Sequence, residues 1–535
     1  MNVVGTIIIG SGVAATALAQ TLLEADPSSS IVILEAGRRV KTKDFALWQD
    51  YLLTRNLPYK TCEDLPYPAP QTRGENALVG GSLPVNLDGA RLIAYGGSSL
   101  HWGGWSFRLK PEDFELRSRT GKGADWPYGY EVLEPYYGAA EHYLAVSGDS
   151  SDLTVRRSRD YPFPHFPLTR EDKLLADAMD TLGIGYSAMP IARRGLSKVP
   201  SRHAPCQTTG TCKYCPFGAR YVASNYLDDL RAWNDFPNLD VRLNAVVETI
   251  EVADRHRAAS VTYIDRLSRR PETVEAERIV VAAGAIESAK LLQRSKSSHW
   301  PDGIGNDEGH VGTYLVTHPF LIFRGKRQSN TLSLQPEMDF PTLVSRHFDS
   351  PQEQAKGKFV IINPVTTADI DLAAKMRQGT SREEIDAYVS GPLAMELNVM
   401  VEVFGDKNNG VSNLEDRRNR FDMAETKVHY VNQDWSVRED EIRAEIEAIW
   451  RAMGVEPGAG PTVSWRADHA SGTTRMSRDP SDGVVDPDLK VHGMDNLYVV
   501  SNGCFPALGA VNPTLTVTAL ALKLGDHLTQ AGAAR

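Results

Sequence analysis

Two short segments near the C-terminus carry the side chains best suited to chemistry. His469 precedes a glycine-containing turn, and Asn512 stands before a proline where an apolar, helix-forming stretch begins and runs to about residue 527. A histidine whose pKa lies near neutrality can accept a proton from a hydroxyl group, and a neighbouring amide can hold the same oxygen. Each segment alone also fits a structural role, as a packed histidine or as an asparagine–proline helix cap.

The first 35 residues predict an element that binds a dinucleotide. The apolar run at 6–9 predicts a buried parallel strand, and Gly10 and Gly12 follow it directly, before a helix-forming segment. Gly10 permits the tight turn, Gly12 lets the backbone approach a pyrophosphate at the helix N-terminus, and Ala15 is the third small position. A second strand ends in Glu35. Along the chain, this residue is as far from the glycine turn as the acidic residue that binds a ribose hydroxyl in such elements. This element alone does not separate NAD from FAD.

Composition and charge limit the classes of function. The chain has 535 residues, and 41% of them are hydrophobic, which is ample for a large core. A formal net charge of −10 argues against nucleic-acid partners. No apolar stretch approaches the roughly 20 residues of a membrane-spanning helix, and the first strand begins too close to Met1 for a signal peptide. We therefore expect a cytoplasmic protein, or a periplasmic one if it is exported folded with a partner that carries the signal.

The remaining pattern predicts an α/β fold in which a second unit is inserted into a Rossmann-like domain. Strands are predicted for the first sheet at 239–251 and 278–284, with a small hairpin pair at 261–264 and 273–277 and a helix at 285–294. The inserted unit is expected to be mostly antiparallel and of α+β type, with strands at 396–403 and 427–431 and a charged helix at 438–453.

Three of the five cysteines lie within ten residues of one another. They are Cys206, Cys212 and Cys215, and the last is followed by proline. Cysteines grouped in this way resemble the ligands of an iron–sulfur cluster. A structural zinc site with His203 as the fourth ligand is an alternative. Unligated thiols or a disulfide are the third possibility, and a reducing cytoplasm disfavours the disulfide.

Several segments, in the correct order, resemble the glucose–methanol–choline (GMC) oxidoreductase family along nearly the whole chain. The matching segments are 94–103, 282–292, 303–306, 311–319, 469–476, 484–489, 496–503 and 509–516. At the position before His318-Pro the family usually has aspartate, whereas this chain has Thr317, to which we assign no role. The Asn512-Pro-Thr-Leu-Thr form most resembles pyranose 2-oxidase and bacterial flavin sugar dehydrogenase large subunits.

This resemblance implies a fold, a cofactor and a set of site residues. It implies FAD rather than NAD, bound by a discontinuous domain at 1–120, 200–315 and 455–535, with a substrate-binding domain at 121–199 and 316–454. His469 would be the catalytic base and Asn512 its partner. The cofactor-binding residues would be Gly10, Gly12, Ala15, Glu35, Gly96, Gly97, Ser98, His101, Trp102, Val246, Ala283, Gly284, Asn502, Gly503, Pro513 and Thr514. His101 is either linked covalently to FAD or packed beside it, and we favour packing.

The implied activity is FAD-dependent oxidation of a sugar or glycoside alcohol to a ketone. Hydride would pass to flavin N5 while His469 accepts the hydroxyl proton. The related dehydrogenases carry a [3Fe-4S] cluster in a segment like that of the three cysteines, although the final spacing here is one residue shorter. Electrons would then leave through iron–sulfur to a small subunit or a cytochrome. The alternatives are an oxygen-reducing sugar oxidase of the pyranose oxidase type and, in another class, a FAD-containing lyase.

Overall fold

The computed structural model describes residues 3–54, 57, 85, 87, 90–195, 204–233, 236–328, 340–349, 358–362, 372–390, 392–418, 424–431 and 434–533. Its strands are β1 (Val4–Ile9), β2 (Ile31–Glu35), β3 (Ser147–Gly148), β4 (Phe163–Pro164), β5 (Ser187–Ala188), β6 (Leu239–Leu243), β7 (Ala245–Val252), β8 (Ala258–Asp265), β9 (Pro271–Val281), β10 (Pro319–Arg327), β11 (Leu343–Ser345), β12 (Phe359–Ile362), β13 (Leu393–Val401), β14 (Gly410–Arg418), β15 (Ala424–His429), β16 (Val455–Pro457), β17 (Thr462–Trp465) and β18 (Leu497–Val499). Its helices are α1 (Val13–Ala25), α2 (Phe45–Thr54), α3 (Leu116–Thr120), α4 (Tyr130–Tyr143), α5 (Arg170–Leu182), α6 (Ala223–Trp233), α7 (Gly284–Arg294), α8 (Leu372–Arg377), α9 (Arg382–Ser390), α10 (Glu439–Ala452) and α11 (Thr514–Ala533).

The first sheet has the order β6-β2-β1-β9-β8-β7, and β18 also pairs with β9. Strands β6, β2, β1 and β18 run parallel to their neighbours, whereas β7, β8 and the first half of β9 form an antiparallel meander. The apolar, β-branched residues of β1 and β2 are buried because helices cover a parallel sheet on both faces. The carboxyl ends of β1, β2 and β9 therefore meet at one edge, where ligands bind in such sheets.

Two predicted strands of this sheet differ in the structure. The segment 239–251 forms two strands rather than one, because Asn244 has a positive φ of 62° that turns the chain. As a result β6 lies at the parallel edge and β7 at the antiparallel edge. The predicted strands at 273–277 and 278–284 are one continuous strand, β9, whose two halves pair with different neighbours.

The second sheet has the order β16-β10-β13-β12-β11-β5, with β17 also pairing with β10, and its pairs are antiparallel. Helix α10 packs its apolar residues, including Ile442, Ile446 and Trp450, into the core that this sheet shares with α5. The predicted strand at 427–431 is β15, which pairs with β14 in a separate two-stranded sheet. Strands β16 and β17 join the second sheet, although they follow the domain boundary predicted at 455.

The long helix α11 returns the C-terminus to the first sheet, where it packs against α1 and α4. Its first turn thereby reaches the same edge as the glycine turn after β1. None of the helices in the described part of the chain is both long enough and apolar enough to cross a membrane.

Candidate active site

A cavity of about 590 Å³ lies at the carboxyl ends of the parallel strands. Its walls include the turns after β1, β2 and β9, the first turn of α11 and, at the far end, Phe320 from β10 of the second sheet. The cavity therefore runs from the carboxyl ends of the parallel strands of the first sheet to Phe320, which is flanked by two strands in the second sheet. This volume is within the range of cofactor and ligand sites, which is roughly 300–1,000 Å³.

The glycine turn after β1 is shaped for close approach of a ligand. Gly10 has φ +102°, and a Cβ at this position would lie 2.6 Å from the carbonyl oxygen of Ala282, so only glycine fits. A Cβ on Gly12 would meet nothing within 4 Å, because this residue faces the cavity. Ala15 is fully buried in the core and does not line the cavity, so its small size serves the packing of α1.

Glu35 lines the cavity at the end of β2, with its side chain buried. One carboxylate oxygen accepts hydrogen bonds from the backbone N–H of Ser11 (3.1 Å) and from its hydroxyl (2.6 Å), and the other accepts from Gly37 N–H (2.6 Å). Burial raises the pKa of Glu35, although these three donors act against the shift. A carboxylate has about four acceptor positions, so one is left for a ribose hydroxyl.

Most of the predicted cofactor-binding residues come together around the cavity. Those that line it are Gly10, Gly12, Glu35, Gly97, Ser98, His101, Trp102, Val246, Ala283, Gly284, Asn502 and Thr514. Those that do not are Ala15, Gly96, Gly503 and Pro513. Gly96 and Gly503 instead shape the lining loops, because Gly96 N–H donates to Ser11 Oγ (2.9 Å) and the Gly503 carbonyl accepts from Thr474 N–H (2.8 Å).

The two predicted catalytic residues are in direct contact, and a second histidine completes the group. Asn512 Nδ2 lies 2.9 Å from His469 Nε2, and His469 Nδ1 lies 2.9 Å from His318 Nδ1. His318 Nε2 lies 2.8 Å from the carbonyl oxygen of Gly509. A carbonyl oxygen can only accept, so His318 carries its proton on Nε2 and accepts at Nδ1. His469 must then carry its proton on Nδ1, which leaves the lone pair of Nε2 directed at Asn512.

Burial keeps both histidines neutral. It lowers the pKa of His469 well below 6.5, with smaller contributions from His318 and from the positive charge of Arg466. Burial likewise lowers the pKa of His318 to about 4. At neutral pH, Nε2 of His469 is therefore an unprotonated acceptor in the wall of the cavity.

Asn512 does not cap the helix that follows it. Helix α11 begins at Thr514, and the amide of Asn512 donates to His469 rather than accepting from a backbone N–H of the helix. Its Oδ1 is buried and finds no hydrogen-bond partner among the described residues. The side chain is thus turned toward the cavity.

His318 was not among the residues predicted from the sequence. The signal was present, since the His318-Pro319 pair belongs to a segment that resembles the family. Thr317, which replaces the usual aspartate, has a positional role, because its hydroxyl donates to the backbone carbonyl of Arg466 (2.7 Å).

Five aromatic or charged side chains form a further group in the cavity wall. Phe320 packs against the His469 ring with centroids 5.7 Å apart, and Trp105 meets Phe340 edge to face at 6.5 Å. Arg466 Nη2 donates to Asp468 Oδ1 at 3.1 Å. We call these five residues (Trp105, Phe320, Phe340, Arg466 and Asp468) the substrate end of the cavity.

His101 and Trp102 also line the cavity. Burial lowers the pKa of His101 to about 4, and the charge of Arg466 adds to the shift. The indole N–H of Trp102 donates to the carbonyl of Tyr221 (2.9 Å), which fixes the ring.

The three clustered cysteines do not form a metal site in the described part of the chain. There, no three side chains of histidine, cysteine, aspartate or glutamate are grouped closely enough to hold a metal ion. These three cysteines form no disulfide, and Cys212 Sγ accepts a hydrogen bond from the buried Arg193 (2.9 Å). Cys62 and His203 lie outside the described residues.

Comparison with known proteins identifies the family. GMC oxidoreductase models match residues 79–320 for the N-terminal part and 406–521 for the C-terminal part. The fructose dehydrogenase large subunit of Gluconobacter japonicus is 26% identical over 98% of this chain and 97% of its own length. The pyranose 2-oxidase of Tricholoma matsutake is 47% identical over a 72-residue stretch, which is 13% of each chain.

A solved structure supports the fold. The pyridoxine 4-oxidase from Mesorbium loti matches with a TM-score of 0.66 at 19% identity, covering 98% of this chain and 99% of that chain. The predicted fold class, a Rossmann-like domain with a second, mostly antiparallel α+β unit, is confirmed. The family match and the cavity at the glycine turn together show that this chain belongs to the GMC oxidoreductase family of FAD-dependent enzymes that act on CH–OH groups.

Proposed function

We propose that this protein oxidises a secondary hydroxyl of a sugar or glycoside to a ketone, with His469 as the proton acceptor. The observation that carries the proposal is the hydrogen-bond chain from Gly509 through His318 to His469. This chain leaves Nε2 of a neutral imidazole in the wall of the cavity that begins at the glycine turn. A base that is already unprotonated at neutral pH can accept the hydroxyl proton directly.

The residues around the cavity fit a bound FAD. Gly10 and Gly12 would admit the pyrophosphate at the N-terminus of α1, and Glu35 would accept from a ribose hydroxyl. The first turn of α11 adds the positive end of a helix dipole at the catalytic end of the cavity. FAD supplies a hydride acceptor when it is bound.

The chain's own residues would hold the alcohol and remove its proton. The substrate oxygen would sit between His469 Nε2, which accepts the hydroxyl proton, and Asn512 Nδ2, which donates to the oxygen. These two nitrogens are now 2.9 Å apart, so the Asn512 side chain must move aside slightly to admit the oxygen. Holding the oxygen at two points orients the C–H bond, which is a positional contribution to the rate.

The choice of a sugar rests on relatives and on the chemistry of the cavity. Fructose dehydrogenase and pyranose 2-oxidase are both named for sugar substrates. The substrate end combines aromatic faces with hydrogen-bonding side chains, a combination suited to a sugar ring.

We infer that electrons leave to another protein, such as a small subunit or a cytochrome, rather than to oxygen. The support is the end-to-end similarity to a dehydrogenase large subunit. A [3Fe-4S] cluster or a zinc ion at Cys206, Cys212 and Cys215 remains a prediction from the sequence: both follow from the grouping of the cysteines, and the cluster also from the resemblance to flavin sugar dehydrogenases. The described thiols do not fit such a group, since they do not converge and Cys212 contacts Arg193 instead. No electron step is therefore assigned to them.

An oxygen-reducing sugar oxidase is the second candidate. The stretch that is 47% identical to pyranose 2-oxidase favours it. The two candidates share the same reductive half-reaction and differ only in what reoxidises the flavin.

The test is anaerobic addition of neutral sugars and methyl glycosides to the FAD-loaded protein. Bleaching of the yellow flavin band by at least one sugar is the expected result. Re-oxidation rates with air and with a quinone then separate oxidase from dehydrogenase. A flavin that stays yellow with the whole panel would reject sugar oxidation and favour a redox-silent lyase.

A further inference from the structure

The substrate end of the cavity holds one positive and one negative side chain, and these two are paired. Arg466 and Asp468 flank Ala467 on the short turn that carries His469, and both line the cavity. Their side chains are 43% and 27% exposed, so both remain open to a ligand while they bond to each other. The positive charge of Arg466 adds to the effect of burial in lowering the pKa of both His101 and His469.

Among the residues that the structure describes, the other ionisable side chains around the cavity add no net charge at this end. His101 and His469 are uncharged at neutral pH because burial lowers the pKa of each. Four more charged residues line the cavity at the nucleotide end, and they are Glu35, Arg91, Glu287 and Arg294. A ligand with a net charge would therefore meet one like charge and one opposite charge at the substrate end, whichever its sign, whereas a neutral ligand meets no like charge.

Two residues that line the cavity each carry a buried polar atom without a hydrogen-bond partner among the described residues. Trp105 Nε1, a donor, and Asn512 Oδ1, an acceptor, are both buried and find no hydrogen-bond partner within the described ranges. A buried polar atom that stays unpaired costs free energy, so a ligand that both donates and accepts would be favoured here. Hydroxyl groups do both.

The aromatic walls complete the chemical description. Phe320 borders His469, and Trp105 and Phe340 meet edge to face across the same end. Apolar ring faces of this kind suit the C–H face of a saturated sugar ring. Apolar walls, one unpaired donor, one unpaired acceptor and a neutral ion pair together describe a site for an uncharged, polyhydroxylated ring.

We propose that Arg466 and Asp468 are a specificity pair that selects neutral sugars over both sugar acids and amino sugars. Arg466 donates to ring hydroxyls, and Asp468 accepts from them through the oxygen that is not bonded to Arg466. Arg466 would attract a sugar carboxylate that Asp468 repels, and Asp468 would attract a sugar ammonium that Arg466 repels. This inference rests on the proposed sugar oxidation.

The experiment compares D-glucose, D-glucuronate and D-glucosamine in two assays. The first is kcat/KM for anaerobic flavin reduction in the FAD-loaded protein. The second is equilibrium binding by calorimetry in FAD-loaded His469→Ala, which retains the substrate end but lacks the base. The unmodified pair should favour glucose over each charged sugar by about tenfold or more, as expected for one like-charge contact or one lost hydrogen bond to a charged group.

Each single substitution should remove one of the two charge repulsions, that of a sugar carboxylate by Asp468 or that of a sugar ammonium by Arg466. Asp468→Asn should lower both kcat/KM and binding affinity for glucose about tenfold. It should narrow or reverse the preference for glucose over glucuronate, and it should not raise either quantity for glucosamine. Arg466→Gln should narrow the preference for glucose over glucosamine and leave the preference for glucose over glucuronate in place. Arg466→Lys and Asp468→Glu keep the charges and should keep the original ranking even if absolute rates fall.

Asp307→Asn is the matched control, since Asp307 forms an exposed ion pair with Arg255 (2.6 Å) and does not line the cavity. It should leave kcat/KM and binding affinity unchanged for all three sugars. FAD content and melting temperature verify that every variant is folded. The inference is overturned if Asp468→Asn and Arg466→Gln change kcat/KM and binding affinity by the same factor for all three sugars. If no sugar reduces the flavin in the unmodified protein, the proposed function itself is wrong. If sugars reduce it without discrimination by charge, only the specificity pair is wrong.

Discussion

The protonation states at the catalytic end follow from one backbone carbonyl. Gly509 accepts from His318, which fixes the tautomer of His318, and His318 in turn fixes the tautomer of His469. The arrangement has the logic of a catalytic triad, in which a base is oriented by a third group. Here the third group is a neutral imidazole rather than a carboxylate, so it directs the base without adding a negative charge.

The pH dependence of flavin reduction tests the protonation state of His469. Because its pKa lies well below 6.5, the imidazole stays neutral as the pH falls through the ordinary range of histidine. The rate constant at saturating sugar should therefore be constant from about pH 9 to below pH 6.5 and fall only at more acid pH. Burial raises the pKa of the neighbouring Asp468 to about 6, so the profile should be repeated in Asp468→Asn to remove that ionisation. A loss of rate centred at or above pH 6.5 in both proteins would contradict a neutral buried base.

Substitutions of His318 separate its acceptor atom from its bulk. His318→Ala removes the acceptor for His469 Nδ1–H, so the base can rotate or change tautomer, and flavin reduction should slow by ~10²-fold. His318→Asn can place an amide oxygen near the position of Nδ1 and should recover much of the rate. The measurement is rapid-mixing anaerobic flavin reduction, with FAD content as the check on folding. Equal rates in His318→Asn and His318→Ala would show that His318 acts only by packing.

Sequence reasoning at this scale named two residues, His469 and Asn512, that the structure brings into contact, but it did not name His318, which contacts His469 from the other side. His469 and Asn512 stand in recognisable segments, and each is a residue type suited to handling a proton or holding an oxygen. The role of His318 depends on a contact across 151 residues and on the direction of one carbonyl, and neither is visible in a linear pattern.

At the scale of elements, the loop before α11 is the part that must hold its shape. Gly509 has φ +62°, and a Cβ there would lie 3.0 Å from Leu109 Cδ2 and 3.1 Å from Asp113 Oδ2. The positive φ orients the carbonyl that bonds His318, and the neighbouring side chains keep the loop from relaxing.

Gly509→Ala should therefore affect both stability and rate. Left-handed strain costs about 1–2 kcal/mol, and displacement of the loop should also slow flavin reduction. Gly379 is the matched control, because it has φ +73° but no atom within 4 Å of its Cβ position. Gly379→Ala should lower the melting temperature by backbone strain alone and leave the rate unchanged. A Gly509→Ala protein that is no slower than Gly379→Ala would mean that the carbonyl position does not govern the base.

The elements could be predicted where the hydrophobic periodicity was simple. The predictions were wrong where a single residue turned the chain. Strand β1 and the start of α1 follow directly from an apolar run, two glycines and an apolar-faced segment. Asn244 divides a segment that alternates like a single strand, and nothing in that alternation signals its positive φ. The alternation likewise does not reveal that β14 and β15 form a two-stranded sheet of their own.

At the scale of the whole molecule, a buried charge cluster joins chain segments that are distant in sequence. Asp349 is fully buried and accepts from Arg346 Nε (2.7 Å), while Lys110 and Lys358 each lie 3.7 Å from its carboxylate. Lys358 also forms an ion pair with Asp113. Burial alone would raise the pKa of Asp349, but the three cations outweigh it and the pKa is lowered.

Removing the charge of Asp349 should destabilise the entire fold. Asp349→Asn leaves three buried cations short of a counter-charge, and loss of one member of a buried ion pair costs about 3–5 kcal/mol. Asp386→Asn is the control, since Asp386 pairs with Arg382 at the surface, where a pair is worth roughly 0–1 kcal/mol. Thermal unfolding should show a clearly lower melting temperature for Asp349→Asn alone. Matching melting temperatures for the two variants would mean that the buried cluster contributes no more than a surface pair.

Sequence could predict that a second, mostly antiparallel unit exists, but not this cluster. Its members come from segments separated by more than 200 residues, and each would be read as a solvated surface charge in a linear pattern. The two-unit architecture follows from periodicity, whereas the contacts that fix one unit on the other are purely tertiary.

The most direct test of the central claim is the rate of anaerobic flavin reduction in FAD-loaded His469→Ala, with a neutral sugar that bleaches the unmodified protein. Removal of a general base should slow this step by on the order of 10²–10⁴-fold, while the FAD content stays the same. His299→Ala, at an exposed position outside the cavity, is the control and should reduce at the original rate. If His469→Ala reduces its flavin as fast as the unmodified protein, His469 is not the proton acceptor and the proposed mechanism is wrong.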